Sequence, residues 1–305
     1  MSRIQPMLLL TVAAAVVAGP TDILQAQKNR LADASSPAPR YVAPNAVRYG
    51  DAVKLGNGHA RAYVIADKTG APRELGVAFD SAALDGLPAG GSGHHGDGAM
   101  MMTHEYILAL PANNKTPFKF VEMNWNPMGH EPEGVYQDVP HFDFHFYTIS
   151  KAERDAIVPT NPEFEKKAGN LPPKEFVPPF NVALGPPGVE PAKLVVPMMG
   201  LHWVDVRSAE LQKLLGKPDD YKPFTATFIY GSWDGRFHFW EPMVTRAHIL
   251  SKKTATDSAE RDQLIPISLP AKYQMPGYYP AAYRVAWDAT AREYRIALTE
   301  LALRK

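Results

Sequence analysis

The stretch Pro140–Tyr147 reads Pro-His-Phe-Asp-Phe-His-Phe-Tyr, a strict alternation that only a β-strand sorts into two chemically pure faces. Phe142, Phe144 and Phe146 fall on one face, wholly aromatic. His141, Asp143, His145 and Tyr147 fall on the other. A face that was merely solvated would carry Lys, Thr, Glu or Ser. Two imidazoles around a carboxylate, on a strand anchored by three phenylalanines, instead present titratable groups to a cleft. The polar face of this strand is therefore the first place to look for a site.

Period-2 segments recur along the chain at His59–Ala66, Glu74–Phe79, Thr103–Leu110, Phe118–Trp125, Leu194–Val206, Tyr283–Trp287 and Glu293–Leu301. Phe224–Ser232 and Arg236–Met243 flank Asp234-Gly235, the signature of a type I′ hairpin turn. In that register Trp233 faces Arg236 and Phe228 faces Glu241. One face then carries Phe228, Tyr230, Ser232, Phe237, Phe239 and Glu241, while His238 points the other way with Ile229 and Trp240. Short helices are expected at Asp80–Leu87, at Ser208–Leu215, and after Ser150, where Glu153 three residues on completes a capping box. The 29 prolines are nearly twice the usual share of about 5%. Ten of them crowd residues 159–197, which cannot stay regular for long; Phe176, Phe180 and Val182 suggest that this segment is pinned to the core. The expected fold is mainly β: antiparallel sheets forming a barrel or sandwich, with a few short helices and a long Pro-rich excursion wrapping it.

The N-terminus speaks to compartment. Arg3 precedes an apolar run from Met7 to Gly19, too short to span a bilayer comfortably, and a small-residue cleavage candidate follows at Ala26. Residues 1–26 read as a secretory signal, 27–45 as a linker and 46–305 as a single β-rich domain, exported to the periplasm or beyond. No later stretch is long and apolar enough for a transmembrane helix. Lys+Arg and Asp+Glu each number 32, and no basic run is interleaved with aromatics, so nucleic acid is not an expected partner. With no cysteine, thiolate ligands and cysteine nucleophiles are excluded.

Imidazoles and carboxylates remain, and they suit zinc first, then manganese, iron or nickel. His141, His145, His202 and Glu241 are the candidate ligands. Asp143 is either a ligand or, in the preferred reading, a catalytic orienter that fixes an imidazole tautomer, and His130, on the preceding loop, is a surrounding residue or a proton shuttle. Distance limits the scheme, because His141 and His145 lie about 13 Å apart along an ideal strand while same-face neighbours lie about 6.6 Å apart. One ion reaches both histidines only if the strand bends. Each signal also has an ordinary alternative: His202 beside Trp203 as a core histidine, the His-Asp-His strand as a buried network, Glu241 as a solvated strand end. The loop Ala89–Met102, with His94 and His95 among five glycines, is either a mobile lid or a surface loop.

Several longer motifs carry a resemblance: Trp125–Pro132, Gly134–Tyr136, Pro140–Tyr147, Gly200–Asp205 and Phe228–Met243. Through them the chain, from about Leu55 to Met243, resembles the TTHB-type domain of unknown function, a family of exported bacterial proteins. The resemblance implies a β-rich fold, export and homo-oligomers, but no activity. The functional expectation is a metal-dependent enzyme acting on a small molecule, a hydrolase or a related lyase or oxidoreductase. The alternative is a non-catalytic metal- or ligand-binding envelope or stress protein, or an oligomer in which the strand is only structural.

Overall fold

A computed structural model describes residues 47–90, 103–186 and 188–305. The signal and linker readings, and His94 and His95, lie outside the described residues. Sixteen strands occur in the order β1 (Val47–Tyr49), β2 (Val53–Leu55), β3 (Gly58–Ala66), β4 (Pro72–Asp80), β5 (His104–Ala109), β6 (Phe120–Asn126), β7 (His141–Tyr147) and β8 (Asn181–Ala183). They continue as β9 (Leu201–Asp205), β10 (Ala226–Trp233), β11 (Arg236–Thr245), β12 (Asp262–Pro266), β13 (Gly277–Tyr279), β14 (Ala282–Asp288), β15 (Glu293–Thr299) and β16 (Ala302–Arg304). One seven-stranded sheet runs β1-β3-β4-β15-β14-β12 with β2 added on β3; the other runs β5-β6-β7-β11-β10-β9-β8, and β13 pairs with β16. Every strand pair is antiparallel.

The two large sheets stack as a sandwich, and no barrel closes among the described residues. The shared core explains why. Phe142, Phe144 and Phe146 of β7 are wholly buried, and Phe79 of the opposite sheet meets the first two at ring distances of 5.7 and 5.8 Å. Burying one such ring contributes about 1.5–3 kcal/mol. The aromatic face of β7 thus points into the sandwich, as its alternation requires, and the His-Asp-His face is turned outward from the sheet.

Three local expectations change. Asp80–Leu87 forms turns rather than a helix: Asp80 accepts from the backbone of His59 (2.8 Å) and Ala82 (3.0 Å), while Gly86 and Pro88 leave no room to propagate. Ser208–Leu215 yields one 3₁₀ turn, Ala209–Leu211. In the Pro-rich segment Phe180 and Val182 are exposed, and the segment is held instead by buried Phe164, Ala168 and Val195. Of the helices, α1 (Lys151–Asp155) carries the expected Ser150/Glu153 capping box, and α2 (Phe164–Gly169) lies within the Pro-rich run. The polar stretch after β11 contains α3 (Arg246–Thr254), capped by Thr245, and then α4 (Ser258–Arg261). No described helix is long and apolar enough to cross a membrane.

The β10–β11 hairpin has the expected turn, with Asp234 and Gly235 both at positive φ (47° and 76°). Its register departs after two pairs. Trp233 faces Arg236 and Ser232 faces Phe237, but Gly231 faces Phe239, so His238 is an extra residue in β11. Beyond this bulge Phe228 faces Pro242, and Ile229 faces Glu241. Trp240 turns into the core with Tyr230, whereas His238, Phe239 and Glu241 come to the face of β7 that carries the histidines.

Candidate metal centres

Two groups of three donors assemble on the outer face of the second sheet: His145, His202 and Glu241 in one, and His130, His141 and Asp143 in the other. Within each group the donor atoms lie within 4.8 Å of one another. The six sequence candidates are thus all at this face, divided between two centres. His141 stands with His130 and Asp143 rather than with His145.

The first group spans three strands. Flanking pairs Trp240–Phe146 and Met243–Asp143 set Glu241 opposite His145 across β11 and β7. Here His145 Nε2 is 3.3 Å from Glu241 Oε1, and His202 Nε2, from β9, is 3.9 Å from Glu241 Oε2. His202 reaches across β10 because the intervening residue is Gly231, its direct partner. The Phe239 ring occupies the space that a side chain on Gly231 would need, since a Cβ there would meet Phe239 Cε1 at 1.9 Å. That ring packs against both imidazoles, at 4.9 Å from His145 and 5.3 Å from His202.

The electrostatics of this group are those of ligands sheltered from water. Burial pushes the His145 imidazole down to about 3 and that of His202 down to about 4. Burial raises the Glu241 carboxyl well above the usual range, and the charges of Asp143 and Glu122 add to that rise. Among the described residues, both ring nitrogens of His145 and the Oε2 of Glu241 are buried without a hydrogen-bond partner. An unsatisfied buried polar group costs about 1–3 kcal/mol. His202 is the solvent side of the group, its side chain 14% exposed against 1% and 2% for His145 and Glu241.

The second group lies one same-face step along β7. His141 Nε2 is 3.2 Å from Asp143 Oδ1, and His130 Nε2, on the loop before β7, is 3.4 Å from Asp143 Oδ2. Burial would raise the Asp143 carboxyl, but the His141 and His130 rings beside it hold it well below the usual range. Burial would lower His130 in turn, yet the Asp143 charge raises it.

Neighbouring β6 supports both groups from residues that the sequence patterns did not single out. Asn126, Asn124 and Glu122 stand directly beside His141, Asp143 and His145. The Asn126 amide donates to Asp143 Oδ2 at 2.7 Å, and the Thr103 hydroxyl fixes that amide by donating to its oxygen at 2.6 Å. Glu122 is ion-paired to the buried Arg154 of α1, which also bonds Glu105 at 2.5 Å; burial lifts the Glu122 carboxyl to about 7 against the pull of Arg154. The alternation Glu122, Asn124, Asn126 was the available signal, one polar face beside another.

Chemically, each group supplies two imidazoles and one carboxylate. Donors around a tetrahedral ion with bonds of 2.0–2.1 Å stand about 3.3–3.4 Å apart, close to the 3.2, 3.3 and 3.4 Å of three pairs here, while His202 and Glu241 are wider apart at 3.9 Å. A groove of about 430 Å³ lined by Phe176, Tyr230, Phe237, Trp240, Tyr273 and Tyr279 contains none of the six donors. The donor set fits a divalent ion and does not identify the element.

No curated protein and no solved structure matches the chain. A family model does, over β4 to β6 and the turn before them, ending short of all six donors; the resemblance expected from Leu55 to Met243 is thus met in a narrower stretch. Residues 67–125 are TTHB210-like, matching the family described as "Hypothetical protein TTHB210".

Proposed function

We propose that this chain is an exported metalloenzyme whose first-row divalent ion, zinc foremost, is held by His145, His202 and Glu241 and acts on a small oxygen-donor substrate. The observation that carries the reading is the convergence of three donors within 4.8 Å of one another, with both nitrogens of His145 and one oxygen of Glu241 buried without hydrogen bonds among the described residues. Three protein ligands leave a tetrahedral ion one position for water or substrate, the pattern of catalytic rather than structural sites. A bound ion lowers the pKa of its water towards 7 and polarises a carbonyl or phosphoryl oxygen. His145 and Glu241 anchor from the buried side, Phe239 holds both imidazoles in orientation, and the partly exposed His202 marks the direction of approach. Export rests on the apolar run Met7–Gly19 after Arg3.

Metal analysis of tag-free protein tests the reading. About one equivalent of a first-row metal or more is expected, lowered by Glu241→Gln or His202→Ala, together with metal-dependent hydrolysis of a chromogenic ester or phosphoester lost in the same variants. Less than about 0.1 equivalent, or retention of all metal by both variants, overturns it. Metal bound with no turnover of any ester leaves the non-catalytic binding protein as the reading.

A further inference from the structure

We propose that His130, His141 and Asp143 hold a second divalent metal ion, separate from the one assigned to His145, His202 and Glu241. This goes beyond the function above, since it makes Asp143 and His130 ligands rather than orienter and shuttle.

Tautomers carry the argument. A neutral imidazole has one N–H donor and one lone-pair acceptor. His141 Nδ1 lies 2.6 Å from the carbonyl oxygen of Val139, which can only accept, so Nδ1 carries a proton and, in the neutral ring, Nε2 presents its lone pair. His130 repeats the arrangement with Nδ1 2.7 Å from the carbonyl of Glu131. Both lone pairs are aimed at Asp143, whose two oxygens are themselves acceptors. The one hydrogen bond that Asp143 receives from a side-chain amide comes from Asn126, at Oδ2. His141 Nε2 and Asp143 Oδ1 are buried 3.2 Å from each other and, among the described residues, neither makes a well-aligned hydrogen bond. Three electron-pair donors therefore face a common point, and something positive must sit there.

Two protons or one metal ion could serve, and distance separates them. Hydrogen bonds from an imidazolium to a carboxylate are short, about 2.7–2.9 Å. The separations here are 3.2 and 3.4 Å, long for such bonds and close to the edge of a metal polyhedron. The surroundings are also those of a ligand shell. Each histidine donates its other N–H to a backbone carbonyl, and the carboxylate is braced by Asn126, itself held by Thr103. The two centres share no residue: each triad gathers its own donor atoms within 4.8 Å, and the β7 histidines that anchor them, His141 and His145, lie about 13 Å apart along an ideal strand.

The experiment is a titration of chelator-stripped, tag-free protein with Co(II), followed by calorimetry and by the visible ligand-field bands. Wild type is expected to take two equivalents, His130→Ala one and Glu241→Gln one, the two variants keeping different bands. His130 is chosen because its ring is partly exposed on a loop, so the variant should fold, and its thermal melt verifies this. One equivalent in wild type, lost in Glu241→Gln and untouched in His130→Ala, overturns this second centre while the proposed function stands. One equivalent lost only in His130→Ala supports this centre and overturns the other. Two equivalents retained in His130→Ala overturn the assignment of these ligands.

Discussion

Gly231→Ala is the sharpest test of how the sheet positions the first centre. The glycine is not needed for its backbone, since its φ is outside the left-handed region. The obstacle is a side chain: a Cβ would stand 1.9 Å from Phe239 Cε1 and 2.1 Å from Cζ. Carbon atoms pack at about 3.5–4.0 Å, so the ring must retreat by roughly 1.5–2 Å. It has nowhere free to go, being wholly buried with Tyr147 at 5.4 Å, His145 at 4.9 Å and His202 at 5.3 Å. Overpacking of this kind costs about 1–3 kcal/mol, and each kcal/mol lowers Tm by roughly 2–4 °C in a domain of this size. The melt of the metal-free protein should therefore fall by about 2–12 °C. The displaced ring also pushes the imidazoles off Glu241, and loss of such support weakens metal binding by roughly 10–100-fold. Differential scanning calorimetry and a competitive zinc titration read the two effects. Gly231→Ala/Phe239→Leu should restore much of the melt without restoring full affinity, because the clash goes but the wedge goes with it. A lowered melt with unchanged zinc affinity would show that Phe239 does not position the ligands. No change in either would refute the packing argument itself.

Arg154→Met should lower stability by roughly 3–5 kcal/mol, because it strands the buried Glu122 carboxylate, and Arg154→Met/Glu122→Gln should recover most of that in urea unfolding. Ser150→Ala removes one half of the capping box on the helix that carries Arg154 and should cost about 1 kcal/mol, read from the same curves. His238 is buried, and its folded-state pKa is depressed from 6.5 to about 4. The unfolded chain binds the proton more tightly, so this group's contribution is full above pH 6.5 and is lost as pH falls towards 4. The loss is on the order of 3 kcal/mol, and His238→Gln should flatten the fall of Tm with acid over that window; an unchanged slope would remove His238 as its source.

How far the sequence reaches depends on how local the cause is. The two faces of β7, the capping box at Ser150 and the type I′ turn at Asp234-Gly235 are set by residues within a few positions of one another, and each is found where the pattern puts it. Glu241 was misplaced relative to Phe228 because one bulged residue, His238, reverses every later side chain of β11. The register shifts beside Gly231, whose side-chain space the Phe239 ring fills, and a glycine inside the strand pattern was the one residue-type signal of that bulge. The proposal of export rests on the N-terminal pattern alone. The division of the six donors into two triads was half legible, since strand spacing already separated His141 from His145. Which partners each would take depended on β6, β9 and β11 lying beside β7, a non-local fact.

The outer face of β7 also makes little sense as packing. His141, Asp143, His145 and Glu241 bury His141 Nε2, Asp143 Oδ1, both nitrogens of His145 and Glu241 Oε2 without hydrogen bonds among the described residues. At about 1–3 kcal/mol each these five atoms offset much of what the three phenylalanines on the inner face contribute, at about 1.5–3 kcal/mol each. Valine or leucine at the same positions would satisfy the sheet at no such cost. A fully bonded polar network would also be free of it, yet the neighbours that could complete one, Asn126 and the Val139 carbonyl, are already engaged on the far side of Asp143 and His141. Their hydrogen bonds turn the free lone pairs towards each other instead of satisfying them. That orientation is unfavourable between the groups themselves and favourable around a cation, so the rigidity of the inner face is what keeps the outer face poised for one.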